Sequence, residues 1–137
     1  MAKRFKVVIV TPDKTAYEGE AVSATLPGAE GYLGVWADHA ALVSAVVPGL
    51  VTLKLNDAGS ESFFAVGAGF VEISDNVVNL MTETCEHSGD IDAERARHAL
   101  DRARERLTGM DATLDRERAR LSKARAEARI RASERGR

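Results

Sequence analysis

The sequence predicts an antiparallel β-sandwich or small barrel in the first two thirds of the chain, followed by a hairpin of two α-helices. Up to about residue 84, short apolar runs rich in Val, Ile and Phe alternate with turn residues every 8–12 residues or so, a spacing typical of such folds. All three prolines lie in this part. After Gly89 the apolar residues recur at helical spacing instead.

The β region contains seven apolar runs that predict strands. Two connections, Asn56-Asp57-Ala58-Gly59 and Asp75-Asn76, are typical of tight hairpins. The prolines are expected at strand ends, where no ladder hydrogen bond is lost. The runs are Phe5–Val10, Ala21–Leu26, Leu42–Val47, Leu50–Leu55, Phe63–Val66, Phe70–Ile73 and Val77–Met81.

The helical region begins after residue 88, which divides the chain into a 1–88 sandwich domain and an 89–137 hairpin domain. Asp90 is expected to cap the first helix, with Asp92 and Glu94 in its first turn. Gly109 fits the end of this helix and Asp111 the cap of the second. The predicted apolar stripes are Ala96, Ala99, Leu100, Ala103 and Leu107, then Leu114, Leu121, Ala124 and Ala128.

Both stripes are thin and rich in alanine. Burial of apolar surface stabilises by about 25 cal/mol per Å², and an alanine methyl buries little area. Much of the order of the hairpin must therefore come from docking on its own sandwich or on another protein. We expect a switch element with two docked states that are close in free energy.

The net charge of −2 conceals an asymmetry between the two parts of the chain. Residues 1–89 hold five Lys/Arg and eleven Asp/Glu, whereas residues 90–137 hold fourteen and ten. Opposite charges indicate two units with different partners. A single cysteine excludes an internal disulfide and favours a reducing compartment. The N-terminal apolar run is too short for a signal peptide or membrane span, so we expect a soluble protein.

Motifs for catalysis, metal binding and nucleic-acid binding are incomplete. Asp38-His39 has no nucleophile in a recognisable elbow, and Cys85-Glu86-His87 lacks further metal ligands. Gly67-Ala68-Gly69 precedes a strand-like run, so close strand packing or a bulge explains it better than a phosphate loop. The basic helices interleave acids and contain no aromatic residue, which disfavours nucleic acid. We predict a protein that is not an enzyme and requires no metal or cofactor.

Two separate segments resemble the epsilon subunit of rotary, F-type ATP synthases. Residues 26–42 (LPGAEGYLGVWADHAAL) resemble the family segment L-P-G-x-E-G-x-x-G-V/I-x-P-x-H-A-P-L. Residues 91–96 (IDAERA) are similar to the I/L-D-x-x-R-A signature that opens the family's C-terminal hairpin. Ala37 and Ala41 stand where the family has proline, and Ala68 where it has glycine, so local backbone geometry is expected to differ there.

The resemblance implies a sandwich of about ten strands and a non-catalytic place in the central rotor stalk. There the chain would couple proton-driven rotation to ATP synthesis. One side of the sandwich would pack on the gamma subunit, and a loop end with Tyr32, His39 and Leu42 would face the ring of c subunits. The chain would lie at the cytoplasmic face of the bacterial cell inner membrane, held there only by these partners.

The resemblance also implies a regulatory hairpin that inhibits ATP hydrolysis when it extends toward the catalytic head. Basic residues of helix 2 could then meet acidic surface on the beta subunits; the candidates are Arg116, Arg118, Arg120, Arg125 and Arg129. Some family members bind ATP on the folded hairpin without hydrolysing it, and arginine forks suit phosphate oxygens. Asp92 could accept from the adenine amino group or the ribose. The matching positions are Ile91, Asp92, Arg95, Arg102, Arg125 and Arg129.

Three alternatives remain open from the sequence. The arginines could be ion-paired surface residues of a hairpin that binds no nucleotide. The chain could be an unrelated sandwich adaptor with a coiled-coil-like tail that self-associates through the hairpin. It could also be a small hydrolase, which would need a nucleophile that the sequence does not reveal.

Overall fold

A computed structural model describes residues 2–109 and 116–136. The predicted cap Asp111 and the stripe residue Leu114 lie outside these residues. The strands are β1 Phe5–Val10, β2 Thr15–Ala21, β3 Ser23–Gly28, β4 Gly31–Trp36, β5 Leu42–Val46, β6 Gly49–Lys54, β7 Glu61–Val66, β8 Gly69–Ser74, β9 Val77–Thr82 and β10 Cys85–His87. A 3₁₀ turn at Ser88–Asp90 leads to helices α1 Ala93–Thr108 and α2 Arg116–Arg135.

The strands form a β-sandwich, which confirms the predicted fold class. The strand order is β10-β7-β6-β3-β5-β8-β9-β1-β2, with β4 paired to the outer side of β3. Only Gly28 and Val46 pair between β3 and β5, so the sheet bends there into two layers. The prediction of a wholly antiparallel sandwich is wrong for one strand pair, because β1 runs parallel to β9.

The core between the layers comes from the alternating side chains of the strands. In β1, for example, Phe5, Val7 and Ile9 point inward and are almost fully buried. Each such side chain stabilises the fold by about 1.5–3 kcal/mol. The largest fully buried side chains are Ile9, Leu26, Leu53, Ile73 and Leu80.

Three observed strands do not correspond to any of the seven apolar runs that predicted strands. β2 and β4 have a single strand neighbour each, and their sequences, TAYEGEA and GYLGVW, mix charged residues or glycine with apolar ones. β10 has three residues and pairs only with β7. Edge strands have one unpaired edge and often carry charged residues or short lengths that discourage pairing with other chains, so their apolar pattern is weaker than that of central strands.

Both predicted hairpin turns are confirmed. Residues 56–59 connect the antiparallel pair β6 and β7. Asp75 and Asn76, between β8 and β9, have φ values of 50° and 62°, as a two-residue type I′ turn requires.

The start of α1 differs from the prediction. Asp92, not Asp90, is the N-cap, and its side chain accepts from the Arg95 backbone N–H at 3.0 Å. Asp90 belongs to the preceding 3₁₀ turn, which has its own cap in His87. Because both aspartates suit a cap chemically, only the observed backbone path distinguishes them.

The buried face of α2 is broader than the predicted stripe. Leu121 and Ala124 are only half-buried, whereas Ala128 is fully buried as predicted. The helix packs on α1 and also on β6 and β7, so it buries two sides. A single-stripe pattern could not reveal the second side; the buried residues are Ala119, Ala126, Ala128, Ala132 and Ser133.

Gly69 confirms the expectation of close strand packing around Gly67-Ala68-Gly69. A Cβ on Gly69 would overlap the backbone carbonyl oxygen of Met81 on the neighbouring strand and lie 2.8 Å from the carbonyl carbon. Backbone atoms paired in a sheet cannot move aside cheaply. Residue 69 therefore tolerates no side chain.

We predict that Gly69→Ala lowers the free energy of unfolding by about 1–3 kcal/mol, because it overpacks β8 against β9. Urea unfolding of the isolated chain measures this change. Gly109→Ala is the control, since its Cβ would meet the nearest atom at an ordinary 3.4 Å. Equal stabilities of the two variants would contradict the prediction.

Candidate functional site

The junction between sandwich and hairpin is a chain of short capping contacts. The Nδ1 atom of His87 accepts a hydrogen bond from the Gly89 backbone N–H at 3.1 Å, which starts the 3₁₀ turn. Two residues after that turn, Asp92 caps α1. Between them Ile91 is half-buried and packs against the cluster formed by α2 and the sheet. The junction thus sets where α1 begins relative to β10.

A cleft of about 330 Å³ opens between this junction, α1 and α2. We call it the hinge cleft. The described residues that line it carry charges of both signs, with three carboxylates and three guanidinium groups. Its lining residues are Glu86, Asp90, Ile91, Asp92, Arg95, Ala96, Ala99, Arg102 and Arg129.

A second cleft of about 240 Å³, the interhelix cleft, continues from the first between the two helices. The clefts share Ala99, Arg102 and Arg129, so they form one groove. Among the described residues that line this second part, every charged one is an arginine. Its lining residues are Ala99, Arg102, Ala103, Arg106, Ser122, Arg125 and Arg129. The groove is therefore mixed in charge at the hinge and basic at its other end.

The structure brings together all six residues that the sequence singled out for nucleotide binding. Five of them line the hinge cleft, and Arg125 joins Arg102 and Arg129 in the interhelix cleft. Helical periodicity places Arg95 and Arg102 two turns apart on one face of α1. On α2, Arg125 and Arg129 lie one turn apart, and the Arg125 guanidinium donates to the Ser122 hydroxyl at 3.1 Å.

Sequence reasoning missed Glu86, which lines the hinge cleft from the sandwich side. Its carboxylate accepts from Nε of Arg129 at 2.6 Å and so links β10 to α2. Both side chains are about one third exposed, at 37% and 32%. The motif Cys85-Glu86-His87 had been considered only as a metal site. Alternation along a strand could have indicated that Glu86 faces the helix, away from Cys85 and His87.

The three remaining arginines of the predicted beta-subunit contact have different environments. Arg116 donates from its two terminal nitrogens to the carbonyls of Leu107 and Gly109, at 2.9 and 3.4 Å, and so satisfies the C-terminus of α1. Arg118 and Arg120 are exposed at the start of α2. With the hairpin docked, Arg116 is already engaged within it.

Tyr32, His39 and Leu42 do not form one surface, which corrects the prediction. Tyr32 pairs with Pro27 near the β3–β4 turn, and its hydroxyl accepts from the Leu50 N–H at 3.0 Å. His39 lies beyond the other end of β4. Its neighbour Asp38 donates its N–H to the Asn76 side chain, and Leu42 pairs with Ile73 beside that turn. Six residues of β4 separate the two ends, a distance of about 20 Å.

The outer face of β5, β8 and β9 exposes apolar side chains. Val43, Phe70 and Met81 are 72%, 59% and 41% exposed. In adjacent strands Ala45 pairs with Phe70, and Phe70 with Met81, so they form a row. A shallow, mainly apolar cleft of about 640 Å³ runs along this row. Exposed apolar surface of this extent indicates a contact with another protein.

The Cys85 thiol is partly buried. Burial raises the pKa of the Cys85 thiol to about 11, so the thiol is protonated near neutral pH. Within residues 2–109 and 116–136, no three His, Cys, Asp or Glu side chains converge on a common point. Neither helix in the described part of the chain is long and apolar enough to span a membrane.

Family models match both parts of the chain. Residues 4–88 match the beta-sandwich domain, and residues 90–134 the long alpha-helix domain, of the ATP synthase delta/epsilon chain. The chain belongs to the ATP synthase epsilon-chain family. The epsilon chain of Syntrophomonas wolfei is 38% identical, with 95% of this chain and 94% of that protein covered. The epsilon chain of Nitratidesulfovibrio vulgaris is 39% identical, with 96% of each covered.

A solved structure shares the family fold. A chain of the Euglena gracilis mitochondrial ATP synthase, in a cryo-EM structure of OSCP, F1 and the c-ring, superposes with a TM-score of 0.81. It is 22% identical, and the superposition covers 96% of this chain and 81% of that one. This likeness supports the arrangement of a hairpin docked on a sandwich.

Proposed function

We propose that this chain is a central-stalk subunit that couples rotation to ATP synthesis and restrains ATP hydrolysis through its hairpin. The observation that carries the proposal is a close-packed sandwich joined to a hairpin that docks through alanines, in a chain of the epsilon family. Coupling needs a stiff body, and a close-packed interior transmits strain. Regulation needs an element that can leave its docking site at small cost. In this role the chain contributes no catalytic residue of its own.

The gamma subunit is the proposed partner of the apolar row on β5, β8 and β9. This row is the large exposed apolar surface on the side of the sandwich opposite the hairpin, because α2 covers β6 and β7. A stalk subunit must grip its neighbour firmly, and apolar burial supplies most of the affinity in such contacts.

The c ring is the proposed partner of the sandwich end that carries Tyr32. Exposed apolar surface continues there from the gamma-facing row. Val47 is exposed, and its N–H donates to the Pro27 carbonyl beside Tyr32. The opposite end, with His39 and Leu42, is tied by polar contacts such as the Lys3–Asp38 ion pair. We therefore assign the ring contact to Tyr32 and withdraw it from His39 and Leu42.

ATP is the proposed ligand of the groove between the helices. The carboxylates at the hinge end suit the amino group and ribose hydroxyls of a nucleoside, which donate hydrogen bonds. The basic interhelix cleft suits a chain of phosphates. One oxygen of Asp92 already accepts from the Arg95 N–H, and its remaining lone pairs are available for a second donor. Bound ATP would bridge α1 and α2 and hold the hairpin in its docked state.

The inhibitory state is proposed to be an extended hairpin. In the docked state α2 rests on the sheet through Ala128 and Ala132, against Leu50, Phe63 and Ala65. The helix contributes only alanine methyls to this contact, although Leu50 and Phe63 of the sheet are almost fully buried in the same cluster. The Glu86–Arg129 pair is partly exposed and contributes modestly. Release would free Arg129 from Glu86 and let the basic residues of α2 meet acidic surface on the beta subunits.

We predict that Phe70→Glu weakens association with the gamma subunit at least about tenfold, because it places a charge in an apolar contact. Thr25→Glu is the matched control, since Thr25 is exposed on the other layer. Binding to purified gamma subunit and urea unfolding are measured for both variants. Equal binding by the two folded variants would argue against this face.

For the ring contact, we predict that a photo-cross-linker reaches the c subunits from Glu30→Cys and not from Ala40→Cys. Both positions are exposed and lie at opposite ends of the sandwich. Each new cysteine is introduced into the Cys85→Ser variant, so that the cross-linker is attached only at the new position. Cross-linked products in the assembled complex are identified by mass spectrometry. Cross-links only from position 40 would assign the ring to the His39 end instead.

We predict that calorimetry with millimolar ATP detects binding, and that Arg125→Ala weakens it about tenfold or more, because a charged hydrogen bond is lost. Arg131→Ala is the control; Arg131 is exposed on the same helix and lines neither cleft. No heat with the unchanged chain would refute nucleotide binding and favour a hairpin of ion-paired surface arginines.

Finally, Ala132→Glu should lower the ATP hydrolysis rate of the assembled complex several-fold. A carboxylate in the fully buried docking contact favours the released hairpin. Arg131→Gln changes the net charge equally at an exposed position and should have little effect. Truncation after Gly89 should abolish the inhibition. A hydrolysis rate unchanged by Ala132→Glu would contradict the extended-hairpin proposal.

A further inference from the structure

We propose that His87 is a pH-sensitive cap that weakens the docking of the hairpin when its ring becomes protonated. Its Nδ1 atom accepts from the Gly89 N–H at 3.1 Å, in the first residues after the sandwich. A ring nitrogen can accept only while it is unprotonated, so the observed bond requires the neutral ring with its proton on Nε2. Protonation turns Nδ1 into a donor facing another donor.

The position of His87 makes this local change consequential. The bond starts the 3₁₀ turn Ser88–Asp90, and Ile91, just after the turn, packs with α2 on the sheet. The adjacent residue, Glu86, holds Arg129 of α2. The turn itself contacts both α2 and β7. Loss of the cap therefore loosens the segment that connects the hairpin to the sandwich.

Aromatic rings, two carboxylates and one guanidinium group surround His87. From β7 it meets the apolar ring of Phe64, at 5.3 Å between centroids, and behind that ring lies Tyr17 of β2. The 3₁₀ turn contributes the carboxylate of Asp90, and Glu86 is engaged with Arg129 on the α2 side. Histidine is the side-chain type whose charge can change within the range of about pH 5 to 8. The inference concerns the docked hairpin and does not depend on nucleotide binding.

Hydrogen exchange on the full chain tests this inference. After correction for intrinsic rates, amides of α2 should exchange about two- to tenfold faster at about pH 5.5 than at about pH 7.5, the range expected for one lost hydrogen bond. Amides of β6 and β7 report on the sandwich and should not change. His87→Asn keeps an acceptor at every pH and should protect α2 at both values. His87→Ala should leave α2 fast at both.

His98 is an exposed histidine on α1. Its substitution tests whether protonation of another histidine causes the change in exchange rate. His98→Asn should keep the pH response of the unchanged chain. If His87→Asn keeps that response, or the unchanged chain shows none, His87 is not the switch. Sandwich amides that remain protected in His87→Ala exclude a failure of that variant to fold.

Discussion

The contact between α2 and the β6–β7 face of the sandwich is the constraint on which the rest of the structure depends. Ala128 and Ala132 have no exposed surface and lie against Leu50, Phe63 and Ala65. Small side chains let the helix approach the sheet closely, yet they bury little apolar area. The same choice of residue therefore fixes the distance between helix and sheet, while most of the apolar surface in the contact comes from Leu50 and Phe63 of the sheet.

The groove exists because of this docking. Arg95 and Arg102 belong to α1, Arg125 and Arg129 to α2, and Glu86 to the sandwich. Only the docked hairpin brings the three elements together around one cavity. Guanidinium groups gathered in this way repel one another, and the Glu86–Arg129 pair offsets part of that repulsion at the hinge. An anion bound farther along would offset more, which couples ligand binding to the state of the hairpin.

The sandwich, in contrast to the alanine-lined hairpin, has a core of large side chains. Large aliphatic residues such as Leu26, Leu53 and Leu80 are fully buried between its layers. At Gly69 two strands approach so closely that no side chain fits. A close-packed body of this kind transmits strain across its interior. Stiffness in one part and marginal docking in the other match the two roles that we propose.

Much of the fold could be predicted because it rests on local chemistry. Alternation identified the central strands, and Asp75-Asn76 identified a turn whose φ values suit those residues. Edge strands β2 and β4 were not predicted, because their charged residues and glycines interrupt the apolar pattern. The second buried side of α2 was not predicted either, because its burial depends on contact with β6 and β7, which are remote in sequence. Among the groove residues, Arg125 was identified by motif, whereas Glu86 required the spatial neighbour Arg129.

The sequence by itself determined the division into sandwich and hairpin, the thin alanine stripes and the family to which the chain belongs. These follow from periodicity, turn chemistry and short motifs, all of which act over a few residues. Only the tertiary structure decided that Asp92 rather than Asp90 caps α1, that Glu86 joins the groove, and that Tyr32 and His39 lie at opposite ends. Those outcomes depend on how distant segments pack against each other, and local sequence carries little information about such contacts.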